Sequence, residues 1–204
     1  MSAALPSRPP RSTHLLYLHG FRSSPQSAKA RRMADWVASE RPDDLVFACP
    51  QLPPSPAAAI ALVEELIRDW PRETMAVMGS SLGGFYATVL SERLRPARTV
   101  LLNPAVDPAR DLAAYIGEQH CWQDPAQHFY FRPEFVDELR ALAPGALAQP
   151  QRYCAVIAKG DELLDWREML ARYQACRVLL LEGSDHGLSD FDEHLPSLID
   201  FLNL

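Results

Sequence analysis

Paired cysteines, basic clusters and long apolar runs are scarce in this 204-residue chain, and each scarcity removes a class of function. The four cysteines, Cys49, Cys121, Cys154 and Cys176, are scattered, with no Cys-x-x-Cys pair and no histidine at metal-ligand spacing. They are expected to be buried, reduced thiols of a cytoplasmic protein, which argues against a disulfide frame or a zinc site. The six histidines include no His-Glu-x-x-His, and the acid-rich stretch Asp190 to His194 falls where a polar helix surface is expected. No metal is therefore expected. Lys and Arg number 20 against 26 Asp and Glu, a net charge of -6. With no Lys/Arg cluster to track a phosphate backbone, no nucleic-acid partner is expected. The longest purely apolar run, Ala57 to Val63, stops at Glu64 and Glu65, far short of the roughly 20 residues that span a bilayer.

The 48% hydrophobic content is enough for one sizeable core, and no shift in composition divides the chain. One domain is expected over residues 14–204. Met1 to Thr13 carries prolines and arginines but no apolar core. It reads as a frayed, flexible arm and as neither a secretory signal nor an anchor.

Within the domain, short apolar runs alternate with amphipathic segments. Strands are predicted near residues 15–18, 45–48, 75–78, 99–102, 153–158 and 177–181. Helices are predicted around 28–39, 57–69, 82–94, 166–173 and 190–202. Such alternation implies an α/β fold, a doubly wound, mostly parallel sheet of about six strands between two helical layers. Sites in these sheets lie beyond the C-terminal strand ends. The exception to the alternation is residues 105–151, an aromatic-rich insertion with Tyr115, Trp122, Phe129, Tyr130, Phe131 and Phe135. It is expected to be a lid-like element, with Tyr115, Trp122 and Phe129 as candidate substrate contacts.

The stretch Gly79-Ser80-Ser81-Leu82-Gly83 runs from an apolar strand into a helical pattern. That setting is how a hydrolase exposes a nucleophilic serine on a tight turn, and side chains at 79 and 83 would collide across it. A serine needs a base, and the base needs an orienting carboxylate. His186, in a polar loop after the last strand, is the best base. His14, His120, His128 and His194 read as surface or packing residues. Asp161 directly follows a strand and glycine, and is favoured as the acid. Asp165 opens Asp165-Trp166-Arg167-Glu168, which reads as an N-cap with a capping-box glutamate, and Asp107 is a more distant alternative. Backbone N–H groups of Leu82 and Phe21 are the candidate oxyanion donors. His19 is expected to brace the Phe21 loop at the edge of the substrate site, and Ser24-Pro25 reads as a helix N-cap with proline following.

These residues, together with Leu15-Leu16-Tyr17-Leu18-His19-Gly20-Phe21, Ser23-Ser24-Pro25, Ser27-Ala28-Lys29-Ala30, Pro50-Gln51-Leu52-Pro53-Pro54, Asn103-Pro104-Ala105, Gly160-Asp161-Glu162 and Asp185-His186, carry a resemblance. The chain resembles the YqiA/YcfP-like esterases, small single-domain bacterial hydrolases of the α/β-hydrolase fold. The likeness covers nearly everything from His14 to Leu204, is poor over about 119–149, and does not extend to residues 1–13. It implies Ser81 as nucleophile, Asp161 as acid and His186 as base, acting on small-molecule acyl esters or thioesters without a cofactor. Acyl preference and oligomeric state, monomer or dimer, stay open. A thioesterase or acyltransferase on the same residues, or a noncatalytic module on the same scaffold, is the alternative. A dinucleotide site is excluded, because Ser81 stands where Gly-x-Gly-x-x-Gly needs its second glycine.

Overall fold

The computed structural model describes residues 10–204. The greater part of the arm expected at 1–13 lies outside them. Ser12 and Thr13 join the body: Ser12 N–H donates to Asn203 O at 2.9 Å and Thr13 N–H to Thr74 O at 2.9 Å.

The central sheet comprises β1 (His14–Leu18), β2 (Val46–Ala48), β3 (Met75–Ser80), β4 (Arg98–Leu102), β7 (Tyr153–Ala158) and β8 (Arg177–Leu181), in the order β2-β1-β3-β4-β7-β8. Each neighbouring pair is parallel. Every residue of β3 and of β7 is buried, as a strand covered on both faces must be. The period-two alternation sends Leu15, Tyr17, Ala76, Met78, Val100 and Leu102 to one face, against α1 (Ala28–Glu40) and α7 (Phe191–Leu202). Leu16, Leu18, Val77, Leu101, Ala155 and Ile157 face the other way. There they meet α2 (Pro56–Leu66), α3 (Leu82–Leu94), α5 (Pro133–Leu142) and α6 (Trp166–Tyr173). The two apolar layers sandwich the sheet, and α3 is buried on every side over Leu82–Ser91.

Local chemistry sets several of the helix ends. Ser55 accepts from Ala58 N–H at 3.1 Å, with Pro56 in the first helical position of α2. Asp165 caps α6 as expected, accepting from Arg167 N–H at 2.9 Å. Glu168, however, does not close a capping box. It is drawn away to Arg110, which holds both its carboxylate oxygens at 2.8 and 2.7 Å, a bidentate pair that outcompetes a single backbone bond. Ser24-Pro25 is also not a helix start. Ser24 Oγ accepts from Gln26 N–H within a turn, and α1 begins three residues after Pro25, at Ala28.

The insertion between β4 and β7 has its own structure. It runs through α4 (Pro108–Leu112), an antiparallel hairpin of β5 (Gly117–His120) and β6 (His128–Phe131), and α5, which packs on α2 and α4. Among the described residues no helix is long and apolar enough to cross a membrane.

Candidate active site

Because β1 lies between β2 and β3, the winding direction of the sheet reverses at β1. The loops after β1 and β3 diverge there and leave a crevice. Ser81 stands at its edge, at φ 56° and ψ -120°, a backbone state unusual for a residue with a side chain. Holding such a conformation costs roughly 1–3 kcal/mol and requires surrounding contacts. Ser81 N–H donates to Leu102 O at 2.9 Å, and Ser81 O accepts from Gly84 N–H at 2.9 Å and Ala105 N–H at 3.1 Å. The two glycines are sterically compulsory, though their clashes are not with each other's side chains. A Cβ on Gly79 would sit 2.2 Å from Gly83 O, and one on Gly83 would sit 2.1 Å from Leu18 O. These are backbone atoms that cannot move aside.

Beyond β4, in the loops after β7 and β8, His186 Nδ1 and Asp161 Oδ2 are 2.8 Å apart. The Asp161 side chain is fully buried and that of His186 is 17% exposed. Asp161 Oδ1 accepts from Leu163 N–H at 2.9 Å and Leu164 N–H at 2.8 Å, so the carboxylate is satisfied as an anion. An ionised acid can only accept, so Nδ1 carries the proton and Nε2 is left as the basic nitrogen. The histidine loop is secured from several directions. His186 N–H donates to Glu162 Oε2 at 3.0 Å, and Lys29 Nζ donates to Gly187 O. Burial pulls the Lys29 ammonium below its ordinary value, while the Asp185 and Asp161 charges oppose that shift.

Asn103, wholly buried at the end of β4, is a residue to which sequence reasoning assigned no role. Its Nδ2 donates to Asp185 O at 2.9 Å and His186 O at 3.1 Å, while its Oδ1 accepts from Ala158 N–H at 2.8 Å. Consecutive residues therefore hold the two halves of the site: Leu102 O grips the Ser81 turn and the Asn103 amide grips the His186 loop. The only sign in the sequence is a polar residue placed directly after an apolar strand.

The loop after β1 closes the remaining side. A Cβ on Gly20 would lie 3.7 Å from Ser81 Oγ, which makes this loop and the serine immediate neighbours. His19, 3% exposed, has both ring nitrogens engaged, Nδ1 with Gly20 O at 3.0 Å and Nε2 with Leu52 N–H at 3.1 Å. Nε2 accepts, so Nδ1 donates. Burial lowers the pKa of this ring, and the Gly20 carbonyl partly opposes the shift. Neither Phe21 N–H nor Leu82 N–H donates to an acceptor among the described residues. A cavity of about 370 Å³ opens beside them, walled by His19, Phe21, Leu52, Leu82, Tyr86 and Phe129.

Tyr115 and Trp122 lie outside those walls. Tyr115 packs edge-on to Phe21, and Trp122 lies under the Arg22 guanidinium. The residues set aside from sequence have other partners: Asp107 caps α4 through Arg110 N–H at 3.2 Å, and the His14 ring lies tilted against Trp70 at 4.8 Å. His120 and His128 pair across the hairpin, and His194 meets Asp190 at 3.2 Å.

The same arrangement of sheet and helices recurs in solved structures. A metagenome-derived lipolytic enzyme of the LipS and LipT pair superposes with a TM-score of 0.71 at 19% identity, covering 94% of this chain and 94% of its own. The mouse α/β-hydrolase domain-containing protein 10 gives 0.66 at 15% identity, over 93% and 90% of the two chains. The esterase Pf2001 of Pyrococcus furiosus gives 0.60 at 16%, over 94% and 80%. At these identities the likeness is one of fold, the α/β-hydrolase fold. A family model described as "Uncharacterised protein family (UPF0227)" matches residues 14–203. The chain belongs to this family, UPF0227, the same YqiA/YcfP family that its sequence motifs resemble.

Proposed function

We propose that the protein is a serine hydrolase of carboxylic esters working through an acyl-enzyme. The observation that carries the reading is the 2.8 Å bond between His186 Nδ1 and the fully buried Asp161 carboxylate, in loops tied to the same strand end as Ser81. In this mechanism Nε2 of His186 takes the Ser81 hydroxyl proton as Oγ attacks the acyl carbonyl carbon. The carbonyl oxygen becomes an oxyanion and accepts from Phe21 N–H and Leu82 N–H, each donor lowering the barrier by about 3 kcal/mol. The tetrahedral adduct collapses, His186 returns the proton to the departing alkoxide, and an alcohol leaves. Water then repeats the sequence on the acyl-Ser81 ester and releases the acid. Asp161 keeps the imidazole in the Nδ1–H tautomer and stabilises the transient imidazolium.

Polarity of the site orients the substrate. The leaving alkoxide must meet His186, whereas the walls of the 370 Å³ cavity include Phe21 and Leu82 and no residue of the Asp161 or His186 loops. The acyl group therefore occupies the cavity and the alcohol points toward His186.

Treatment with an organophosphonate serine probe, followed by intact mass measurement, tests the assignment. The expected result is a single adduct on the wild type and none on folded Ser81→Ala. An unlabelled, folded wild type overturns the mechanism, and an adduct that persists in the variant moves the nucleophile to another serine.

A further inference from the structure

The Phe21 N–H is aimed by the insertion as well as by the sheet. Phe21 and Arg22, adjacent in the loop after β1, both send their side chains into residues 105–151. The Phe21 ring makes edge-on contacts with Tyr115 at 5.8 Å, Phe129 at 5.8 Å and Phe131 at 5.2 Å, and Phe131 is itself 1% exposed. Three such contacts fix the ring plane, because edge-to-face packing is directional. Arg22 sits at φ 58°, a left-handed state disfavoured by roughly 1–2 kcal/mol for a residue with a Cβ.

Contacts from the hairpin tip surround that strained residue. Arg22 Nε donates to His120 O at 2.7 Å, its guanidinium lies 4.0 Å over the Trp122 ring, and its carbonyl accepts from Trp122 N–H at 2.8 Å. Ser24 Oγ adds a bond to Gln123 Oε1 at 3.2 Å. The carbonyl and the side chain of Arg22 are thus both held by one short segment, 120–122. The Leu82 N–H differs, since the first turn of the buried helix α3 fixes it.

Resting on the reading of Ser81 as nucleophile, we propose that Arg22 and Trp122 are positioning residues for the oxyanion donor at Phe21. The hairpin thereby governs the rate of the chemical step. Trp122 is 61% exposed and does not wall the cavity, so its influence passes through Arg22 and not through contact with the acyl group. A donor displaced by an ångström loses most of its effect on a developing charge, because the alignment is pre-set and not regained during reaction.

Steady-state hydrolysis of a p-nitrophenyl ester by Trp122→Ala, Trp122→Phe and Arg22→Lys tests this. For Trp122→Ala the expected result is a fall of about tenfold or more in kcat with KM within about twofold, and an unchanged thermal unfolding curve. Affinity for a trifluoromethyl ketone, which forms the tetrahedral oxyanion on Ser81, should fall in the same proportion as kcat/KM. Trp122→Phe should recover most of the rate by restoring a stacking face. Arg22→Lys keeps the charge but loses the planar stack and the Nε donor, so it should match Trp122→Ala, with the double variant no worse than either. Wild-type kcat in both Trp122→Ala and Arg22→Lys, or a raised KM at unchanged kcat, overturns the proposal. These outcomes are distinct from failure of the underlying mechanism, in which wild-type Ser81 itself is unlabelled by the phosphonate.

Discussion

Replacing Asn103 by alanine isolates the residue that ties the two halves of the site together. Three hydrogen bonds vanish: those to Asp185 O, to His186 O and from Ala158 N–H. The Ala158 N–H lies at the buried end of β7 and is left without an acceptor, at a cost of about 1–3 kcal/mol. The two loop carbonyls are half-buried and can turn to water, so each loses about 0.5–1 kcal/mol. Asn103 also occupies φ 42°, where asparagine is tolerated and alanine is penalised by roughly 1 kcal/mol. The expected destabilisation is about 3–6 kcal/mol, a large part of the roughly 5–15 kcal/mol that holds a domain together. Urea unfolding at neutral pH reads it as a lowered midpoint at unchanged slope. Phosphonate labelling of Ser81 should slow in parallel, since the His186 loop loses its tether. A shift below about 1 kcal/mol with unaltered labelling would refute the reasoning and show that the loop is held by Glu162 and Lys29 alone.

The other perturbations separate packing from chemistry. Gly83→Ala puts a methyl 2.1 Å from Leu18 O and is expected to abolish soluble folded protein. Gly145→Ala meets nothing within 4 Å and should leave the melting temperature unchanged or slightly raised, as differential scanning of both variants will reveal. Asp161→Asn preserves shape but presents an amide to Nδ1, favouring the wrong tautomer. kcat should fall by roughly three to four orders of magnitude while circular dichroism is unchanged, and near-normal turnover would remove Asp161 from the mechanism. Burial lowers His19 below the ordinary histidine value of 6.5. The unfolded chain then binds the extra proton more readily, so stability is full above that value and declines as pH falls through it. His14, shifted in the same direction by burial, adds to the slope. Denaturant midpoints at neutral and mildly acid pH should converge partly in His19→Gln; an unaltered slope would assign the effect elsewhere.

The sheet and its helices were legible because buried parallel strands leave short apolar runs between segments of helical period, and those are local signals. β3 outruns its apolar stretch, extending through Gly79 and Ser80 because these pair with Leu101 and Leu102. Small residues there serve the turn, so hydrophobicity fades before the strand does. The Gly-x-Ser-x-Gly turn, Asp161 and His186 stood out because their residue types, in loops just past apolar strands, fit one recognisable chemistry. Asn103 and Arg22 had no such signal. Their partners lie far along the chain, at Ala158, Asp185 and His186 for one and His120 and Trp122 for the other. No pattern within a helix or strand period records bonds of that span. The insertion was read as a lid-like, aromatic-rich element. Its hairpin escaped notice because Gly117-Glu118-Gln119-His120 is a strand without apolar alternation, held by its pairing with His128–Phe131.

Parallel pairing throughout the central sheet has a consequence in time. Leu18 lies beside Gly79 and Leu102 beside Val156, so no two strands of this sheet can zip together as a local hairpin, and every pairing must wait for a helical crossover. The serine turn, the acid and the histidine are on three such strands, with the histidine after the last. A chain emerging during synthesis gains the proposed base only when β8 and the loop beyond it have been added. Helical signal should therefore precede Ser81 labelling during refolding, and the proposed nucleophile is expected to stay inert until the sheet is complete.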